Sequence, residues 1–216
     1  NGSAVVMDPK NGEIRALVGS VDWNNPTFGK YNIATARRQP GSSFKPIMYA
    51  TGIENRNFSA ASIFHDVATN FNGYAPKDYD LRYRGDVTLR RALANSLNIP
   101  AVEAIQKVGV QTTVEKARVL GLTTLDKNAY YGPSTALGTT NAKLTEMTNA
   151  YATFANAGRK NTITTVSNIK DKNNRVILKA KPQNKQVISS QTAYIISSIL
   201  SDNTARSELF GSSLNL

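Results

Sequence analysis

The sequence predicts an α+β fold, in which a helical cluster packs on an antiparallel sheet. Two observations carry this prediction. Apolar and polar residues alternate on either side of tight turns at residues 8–12 and 171–174, a pattern typical of β-hairpins near both ends of the chain. Between these hairpins, apolar residues recur every three or four positions, as on one face of a helix. A length of 216 residues with 40% hydrophobic residues suffices for one sizeable core.

The first third of the chain reads as a hairpin, a loop and a helix. Residues 3–8 and 13–19 flank an Asn-Gly turn and predict the first hairpin. An amphipathic helix is expected from near Ser42 to about Glu54, because apolar residues recur at helical spacing after a Pro-Gly turn. Residues 58–85 are rich in Asn, Asp, Tyr and Gly without a sustained period, and they predict a long surface loop.

The rest of the chain is mainly helical. Helices are expected over residues 89–94, 101–108, 114–120 and 144–157, followed by a last long helix that Ser189 or Ser190 caps. Thr88 is the expected N-cap of the first of these helices, and Gly121 and Gly158 are expected stops. Residues 163–170 and 175–179 form the second hairpin. We expect strands of one sheet to come from distant parts of the chain.

The composition narrows the classes of chemistry and of partner. The formal net charge is +11 with a pI near 9.9, which favours an acidic polymer or surface. The basic residues form no nucleic-acid motif, so we expect no nucleic-acid partner. The chain has no cysteine and a single histidine, His65, which excludes thiol nucleophiles and predicts no metal site or cofactor. No apolar run reaches the roughly 18 residues of a membrane span.

The Ser42–Lys45 pair is the first candidate for catalysis. Residues three apart share a helix face, so the Lys45 amine is expected within reach of the Ser42 hydroxyl. The free N–H groups and positive dipole of a first helical turn favour negative charge at the serine. Serine needs a base to act as a nucleophile, and a lysine that is kept partly neutral can supply it. This pair predicts acyl transfer without histidine.

The Ser-x-x-Lys and Ser-x-Asn patterns occur more than once in this chain, so neither pattern alone identifies a catalytic site. A second Ser-x-x-Lys, at Ser167 and Lys170, lies in a β-like run that would place the two side chains on opposite faces. Ser96 and Asn98, on a turn between helices, would supply a proton relay and a group that holds a substrate amide. Ser and Asn are also ordinary turn residues, so a plain helix cap remains an alternative. Two more Ser-x-Asn strings, at residues 201–203 and 213–215, are further decoys.

Several segments together resemble class A penicillin-binding proteins. Residues 37–46 resemble the nucleophile segment of this family, and residues 95–101 resemble its second motif. Residues 7–13 resemble its opening hairpin, and residues 132–138 and 150–158 resemble later landmarks of the transpeptidase domain. The matches follow the family order through nearly the whole chain.

The resemblance implies a peptidoglycan D,D-transpeptidase with the penicillin-binding-protein/β-lactamase-like fold. Ser42 would form an acyl-enzyme with a D-Ala-D-Ala stem peptide or a β-lactam, and Lys45 would take its proton. Ser96 would shuttle protons, and Asn98 would bind the substrate amide. No cofactor is implied. The implied place is the extracytoplasmic face of the bacterial cell membrane, with an anchor outside these residues and other cell-wall synthesis proteins as partners.

One family feature is absent from the sequence. The third motif, Lys-Thr-Gly or Lys-Ser-Gly on a strand, occurs nowhere in residues 1–216. We therefore expect these residues to be the N-terminal and central part of one transpeptidase domain, truncated before the third motif, with the C-terminal strands missing. Acylation would then be slow. A D,D-carboxypeptidase, a β-lactamase-type hydrolase and a penicillin-recognising scaffold without turnover remain alternatives.

Overall fold

The computed structural model describes residues 2–212, which form the predicted α+β architecture. The helices are α1 (Lys45–Glu54), α2 (Leu89–Ala94), α3 (Asn98–Val108), α4 (Val110–Leu120), α5 (Leu144–Ala155), α6 (Ser190–Leu200) and α7 (Asn203–Phe210). The strands are β1 (Ala4–Met7), β2 (Ile14–Val18), β3 (Ile63–Asp66), β4 (Gly85–Thr88), β5 (Arg159–Asn161), β6 (Asn168–Lys170), β7 (Val176–Lys179) and β8 (Asn184–Gln186).

Helix α1 lies at the centre of the molecule. Its residues from Lys45 to Gly52 are all buried, and α3, α4 and α6 pack around it. The helix was predicted correctly, but its amphipathic character was not, because neighbouring elements cover residues 45–52 on all sides and leave no face exposed to solvent. The packing is tight: a Cβ at Gly52 would lie 2.0 Å from the Phe58 ring.

The strands form antiparallel pairs instead of one continuous sheet. The pairs are β1 with β2, β3 with β4, β5 with β8, and β6 with β7. Both predicted hairpins are confirmed, although the second is shorter than expected. The N-terminal hairpin forms an isolated parallel bridge to the distant part of the chain, between Glu13 and Thr164, and the Pro9 carbonyl accepts a hydrogen bond from the Asn161 side chain. The expectation of one sheet from distant strands is therefore wrong: in the described residues, distant segments pair through isolated bridges such as this one and the antiparallel bridge between Arg38 and Ala142.

The predicted loop over residues 58–85 contains a strand. Strand β3 pairs with β4 and alternates exposed and buried residues, with Phe64 and Asp66 in the interior. This four-residue strand is too short to show a period among polar neighbours. His65, expected in a loop, lies on the exposed face of β3.

Helix ends follow the predicted capping residues. The Thr88 side chain accepts a hydrogen bond from the Arg91 N–H at the start of α2, and the Ser189 side chain does the same for Thr192 at the start of α6. Gly121 ends α4 in the left-handed region, but α4 starts four residues earlier than residue 114. The predicted stop at Gly158 is too late, because α5 ends at Ala155 with Asn156 as its C-cap and the left-handed region is already entered at Ala157, with φ of +50°. Within residues 2–212, no helix is long and apolar enough to cross a membrane.

Candidate active site

The segment before Ser42 is held by residues 138–142. Arg38 and Ala142 exchange two backbone hydrogen bonds of 3.0 and 2.9 Å, and the Gly41 N–H donates to the Gly138 carbonyl at 3.3 Å. Gly138 has φ of +72°, and a Cβ there would lie 2.0 Å from the Gly41 carbonyl oxygen. Only glycine permits this approach. The landmark at residues 132–138 thus supports the backbone of the Ser42 turn.

Ser42 lies in a short 3₁₀-helix, Gly41–Phe44, that continues directly into α1. Its side chain is exposed. The predicted position in a first helical turn is confirmed, although that turn has 3₁₀ geometry. The neighbouring Ser43 differs from Ser42, because its hydroxyl donates to the Pro40 carbonyl at 2.7 Å and its own carbonyl accepts from the Tyr151 hydroxyl at 2.9 Å.

Lys45 is fully buried, and its amine points at the Ser96–Asn98 turn. The amine donates to the Ser96 carbonyl at 2.5 Å, to Asn98 Oδ1 at 2.7 Å and to Ser96 Oγ at 3.2 Å. Burial lowers the pKa of Lys45 to about 7, against the opposing effect of the Asp78 carboxylate. Among the described residues, the hydrogen bonds of this amine go to Ser96 and Asn98 and not to Ser42.

Ser96 combines a structural position with these contacts. The Ser96 N–H donates to the Leu93 carbonyl and the Leu97 N–H to the Ala92 carbonyl, which is the Schellman pattern at a helix end. Ser96 takes the left-handed position, with φ of +53°, where glycine is usual. The helix-cap interpretation is therefore correct. The same conformation also turns the Ser96 carbonyl and hydroxyl towards Lys45.

Asn98 opens α3 and is held at both ends of its side chain. Its Oδ1 accepts from Lys45, and its Nδ2 donates to the Lys77 carbonyl at 2.7 Å. Its backbone N–H donates to Asp78 Oδ1. The other side-chain N–H of Asn98 has no acceptor among the described residues. The buried Asp78 was not found from the sequence, because it lies in the segment that was predicted as a surface loop.

Ser42 and Ser96 line the same cavity, of about 520 Å³. Its other walls are mostly apolar and come from α1, α2, α5, α6 and α7, with Pro46, Leu93, Tyr151, Ile199, Leu200 and Phe210 among them. Burial raises the pKa of Tyr151 to about 12, so its hydroxyl stays protonated at neutral pH. The nucleophile candidate thus lines an open, mostly apolar cavity beside the second motif.

The decoy motifs lie elsewhere. Lys170 is in β6 with Ser167 just before it, both exposed on the second hairpin. Ser201 ends α6 and the Asp202 side chain caps α7, while residues 213–215 lie outside the described residues.

His65 is also away from the motifs, because its ring and backbone N–H contact Glu103 at 3.3 and 2.8 Å. Over residues 2–212, no cluster of His, Asp and Glu could hold a metal ion.

Comparison with known proteins matches this geometry to one family. Residues 2–209 match the penicillin binding protein transpeptidase domain. The chain belongs to the transpeptidase-domain family of class A penicillin-binding proteins. It is 33% identical over 202 residues to penicillin-binding protein 1F of Bacillus subtilis, covering 92% of this chain and 27% of that protein. It is 32% identical over 213 residues to penicillin-binding protein 1A of Neisseria meningitidis, covering 93% and 26%.

Solved structures of penicillin-binding proteins share the fold. Penicillin-binding protein 1A of Haemophilus influenzae superposes with a TM-score of 0.82 at 28% identity, covering 99% of this chain and 36% of that one. PonA1 of Mycobacterium tuberculosis, in complex with penicillin V, has a TM-score of 0.84 at 22% identity, covering 96% and 57%. The chain therefore spans about a quarter of the length of its curated class A relatives.

Proposed function

We propose that this chain carries the acyl-transfer site of a peptidoglycan D,D-transpeptidase. One observation carries the proposal: a buried lysine amine with its pKa near neutrality lies against Ser96 and Asn98, and Ser42 shares a cavity with Ser96. Acyl transfer by serine needs such a base at neutral pH. Membership of the penicillin-binding protein family supports a stem peptide ending in D-Ala-D-Ala as the proposed substrate class.

The first half of the reaction makes an ester. The Ser42 hydroxyl oxygen attacks the carbonyl carbon of the penultimate D-Ala, and the neutral Lys45 amine takes the hydroxyl proton. The C–N bond then breaks, and the terminal D-Ala leaves as an amine after it receives a proton through Ser96. A β-lactam would acylate Ser42 in the same way, and its ring would open without loss of a leaving group.

The second half passes the acyl group on. An amine of a neighbouring stem peptide attacks the ester carbonyl and forms a C–N bond, and the C–O bond to Ser42 breaks. The amine proton passes through Ser96 and Lys45 to the Ser42 oxygen, so Ser42 regains its hydroxyl. The second side-chain N–H of Asn98, which is not the one donated to the Lys77 carbonyl, would hold the substrate amide during both steps. The Ser42 N–H, in the first helical turn, would stabilise the oxyanion.

A second oxyanion donor and a carboxylate-binding strand are needed to complete the site. The third motif of the family is absent from the 216-residue sequence. We therefore propose that residues 1–216 form the N-terminal and central part of one transpeptidase domain, and that the third motif comes from outside them. Loss of one oxyanion donor typically lowers kcat about 100- to 1,000-fold.

The location and the partners of the site follow from its proposed substrate. We propose that the site works on the extracytoplasmic face of the bacterial cell membrane, where its substrate lies, with an anchor outside these residues. Its partners would be stem peptides, β-lactams, the rest of its own domain and other proteins of cell-wall synthesis.

The test is acylation by benzylpenicillin, followed by intact-mass and peptide mass spectrometry. We expect one adduct on Ser42, formed about 100-fold faster in a longer version that includes a third motif than in residues 1–216 alone. The rate should rise about tenfold per pH unit below pH 7 and level off above it, because only neutral Lys45 accepts the proton.

Ser42→Ala and Ser43→Ala form a matched pair for this test. Both remove one exposed hydroxyl from the same turn, and only Ser42→Ala should abolish the adduct. Loss of the adduct in Ser43→Ala alone, or no adduct in folded protein of either length, contradicts the proposal. Rapid release of hydrolysed penicillin would instead favour a hydrolase. A lasting adduct with no transfer of a thioester donor's acyl group to an added amine would favour a scaffold.

A further inference from the structure

Two buried carboxyl groups lie behind the Lys45 site. Asp66 of β3 is fully buried, and Asp78, in the segment between β3 and β4, is 3% exposed. Asp66 Oδ2 accepts the Arg84 N–H at 2.9 Å, and Asp78 Oδ1 accepts the N–H groups of Asn98 and Ile99. The second oxygen of each group, Asp66 Oδ1 and Asp78 Oδ2, has no hydrogen-bond donor in the described residues.

A single shared proton accounts for both unpartnered oxygens. Buried polar oxygens are normally hydrogen-bonded, and two carboxylates in one buried site cannot both ionise cheaply. The two carboxyl groups are close enough for a side-chain hydrogen bond, so a proton shared between them would satisfy both atoms. Consistently, burial, then the hydrogen bond to Asp78 and its charge, raise the pKa of Asp66 well above the ordinary carboxyl range.

The surroundings of Asp78 favour a negative charge. It faces the N-terminus of α3, where free N–H groups and the helix dipole favour an anion. The Arg84 guanidinium lies 3.9 Å from Asp78 Oδ2 and 3.7 Å from Asp66 Oδ2. That guanidinium is also bound by Asp80 and Glu208, each at 2.7 Å, so Asp78 is not its main partner.

The charge of Asp78 acts directly on the lysine site. The Asp78 carboxyl group accepts a hydrogen bond from the backbone N–H of Asn98. The Asn98 side chain in turn accepts a hydrogen bond from the Lys45 amine through Oδ1 and donates one to the Lys77 carbonyl through Nδ2. Asp78 is the carboxylate that favours the charged form of Lys45 against burial. Glu103 of α3 acts on Tyr49, one turn further along α1, and is itself paired with Lys107 at 2.6 Å.

We propose that charged Asp78, paired with a protonated Asp66, is a positioning residue that fixes Asn98 beside Lys45 and helps Lys45 to hold the proton of Ser42. The part of this inference that concerns the proton of Ser42 rests on the function proposed above. The part that concerns the charge of Lys45 does not. The sequence contains Asp at both positions, but only the fold brings them together.

The test compares Asp78→Asn with Asp66→Asn. Asparagine keeps the size of the side chain and an acceptor for the Asn98 N–H. Asp78→Asn removes the charge, so the midpoint of the Lys45 titration should fall by roughly one pH unit. Asp66→Asn imitates the protonated acid and should leave that midpoint in place. The midpoint is measured by NMR of ¹³C-labelled lysine side chains, with the Lys45 signal assigned from Lys45→Arg.

The acylation rate provides the second readout. The pH profile of Ser42 acylation by benzylpenicillin should move to lower pH in Asp78→Asn and stay in Asp66→Asn. Equal midpoints of the lysine titration in the two variants, or a larger shift in Asp66→Asn, overturn the inference. A shifted NMR midpoint without any acylation upholds the electrostatic inference and contradicts the proposed function alone.

A stability measurement covers the case in which Asp78→Asn does not fold. A carboxyl group whose pKa is higher in the folded state binds more protons there, so stability falls as pH rises from the ordinary carboxyl range towards that pKa. The wild-type chain should therefore lose stability between about pH 5 and pH 7 relative to Asp66→Asn. An unchanged difference between the two across that window contradicts a protonated Asp66.

Discussion

At Ser96, the backbone conformation that ends one helix also turns two oxygens towards Lys45. A left-handed residue other than glycine is unfavourable by about 1 kcal/mol, and such residues concentrate at functional sites. Ser96 has φ of +53° and contacts the Lys45 amine through its carbonyl and its hydroxyl. Glycine would suit the backbone but would lack the hydroxyl.

We therefore expect Ser96→Gly to be more stable than Ser96→Ala by about 1 kcal/mol. Both variants lose the hydroxyl, so the difference reports the backbone alone, and urea denaturation at constant pH measures it. Both should lose the same share of the benzylpenicillin acylation rate. Equal unfolding free energies would show that the left-handed conformation carries no strain.

At the scale of elements, Glu54 joins the central helix to α6. Its carboxylate, at the end of α1, accepts from the Ser189 N–H at 3.0 Å, the Ser189 hydroxyl at 2.7 Å and the Thr192 hydroxyl at 2.6 Å. Burial opposes ionisation of Glu54, but the hydrogen bonds from Thr192 and Ser189 outweigh it and lower its pKa. This carboxylate lies at the N-terminus of α6, where negative charge is favoured.

We expect Glu54→Ala to lower the free energy of unfolding by about 2 to 3 kcal/mol, since it leaves three donors of α6 without their charged acceptor. Glu54→Gln should recover part of this loss. Glu115→Ala, on the exposed face of α4, removes a carboxylate of the same kind and should change stability by less than about 0.5 kcal/mol. A loss in Glu54→Ala no larger than in Glu115→Ala would contradict this role.

At the scale of the whole molecule, the net charge of +11 gives the surface an excess of cations. Part of this excess lies around the second hairpin, where Lys170, Lys172, Arg175, Lys179, Lys181 and Lys185 are all exposed. Such a surface attracts anionic polymers through screened, long-range forces. It is separate from the buried Lys45 site.

We expect the chain to be retained on immobilised dextran sulfate at about 50 mM salt, to elute by about 500 mM, and to pass through neutral dextran. Ser42→Ala should elute at the same salt concentration, because the interaction does not use the active site. Replacing the six hairpin cations by Gln should lower that concentration. Free passage at low salt would contradict the inference from net charge.

Some parts of this molecule could be predicted from the sequence and others could not. The hairpin turns, the Thr88 and Ser189 caps and the first helical turn of Ser42 were predicted correctly, because each depends on neighbouring residues. The class A family was also found from the sequence, because its motifs occur in order. Strand β3 was missed, because four residues show no period without their partner β4.

The sequence by itself determined the family, the fold class and the candidate residues, because turns and motifs depend on residues that are close together along the chain. Only the tertiary structure decided that α1 is buried on all sides, and burial is the physical cause of the lowered pKa of Lys45. It also brought Asp66 and Asp78, twelve positions apart along the chain, into one buried pair. Desolvation and through-space charge depend on the surrounding fold, so spacing along the chain could not predict them.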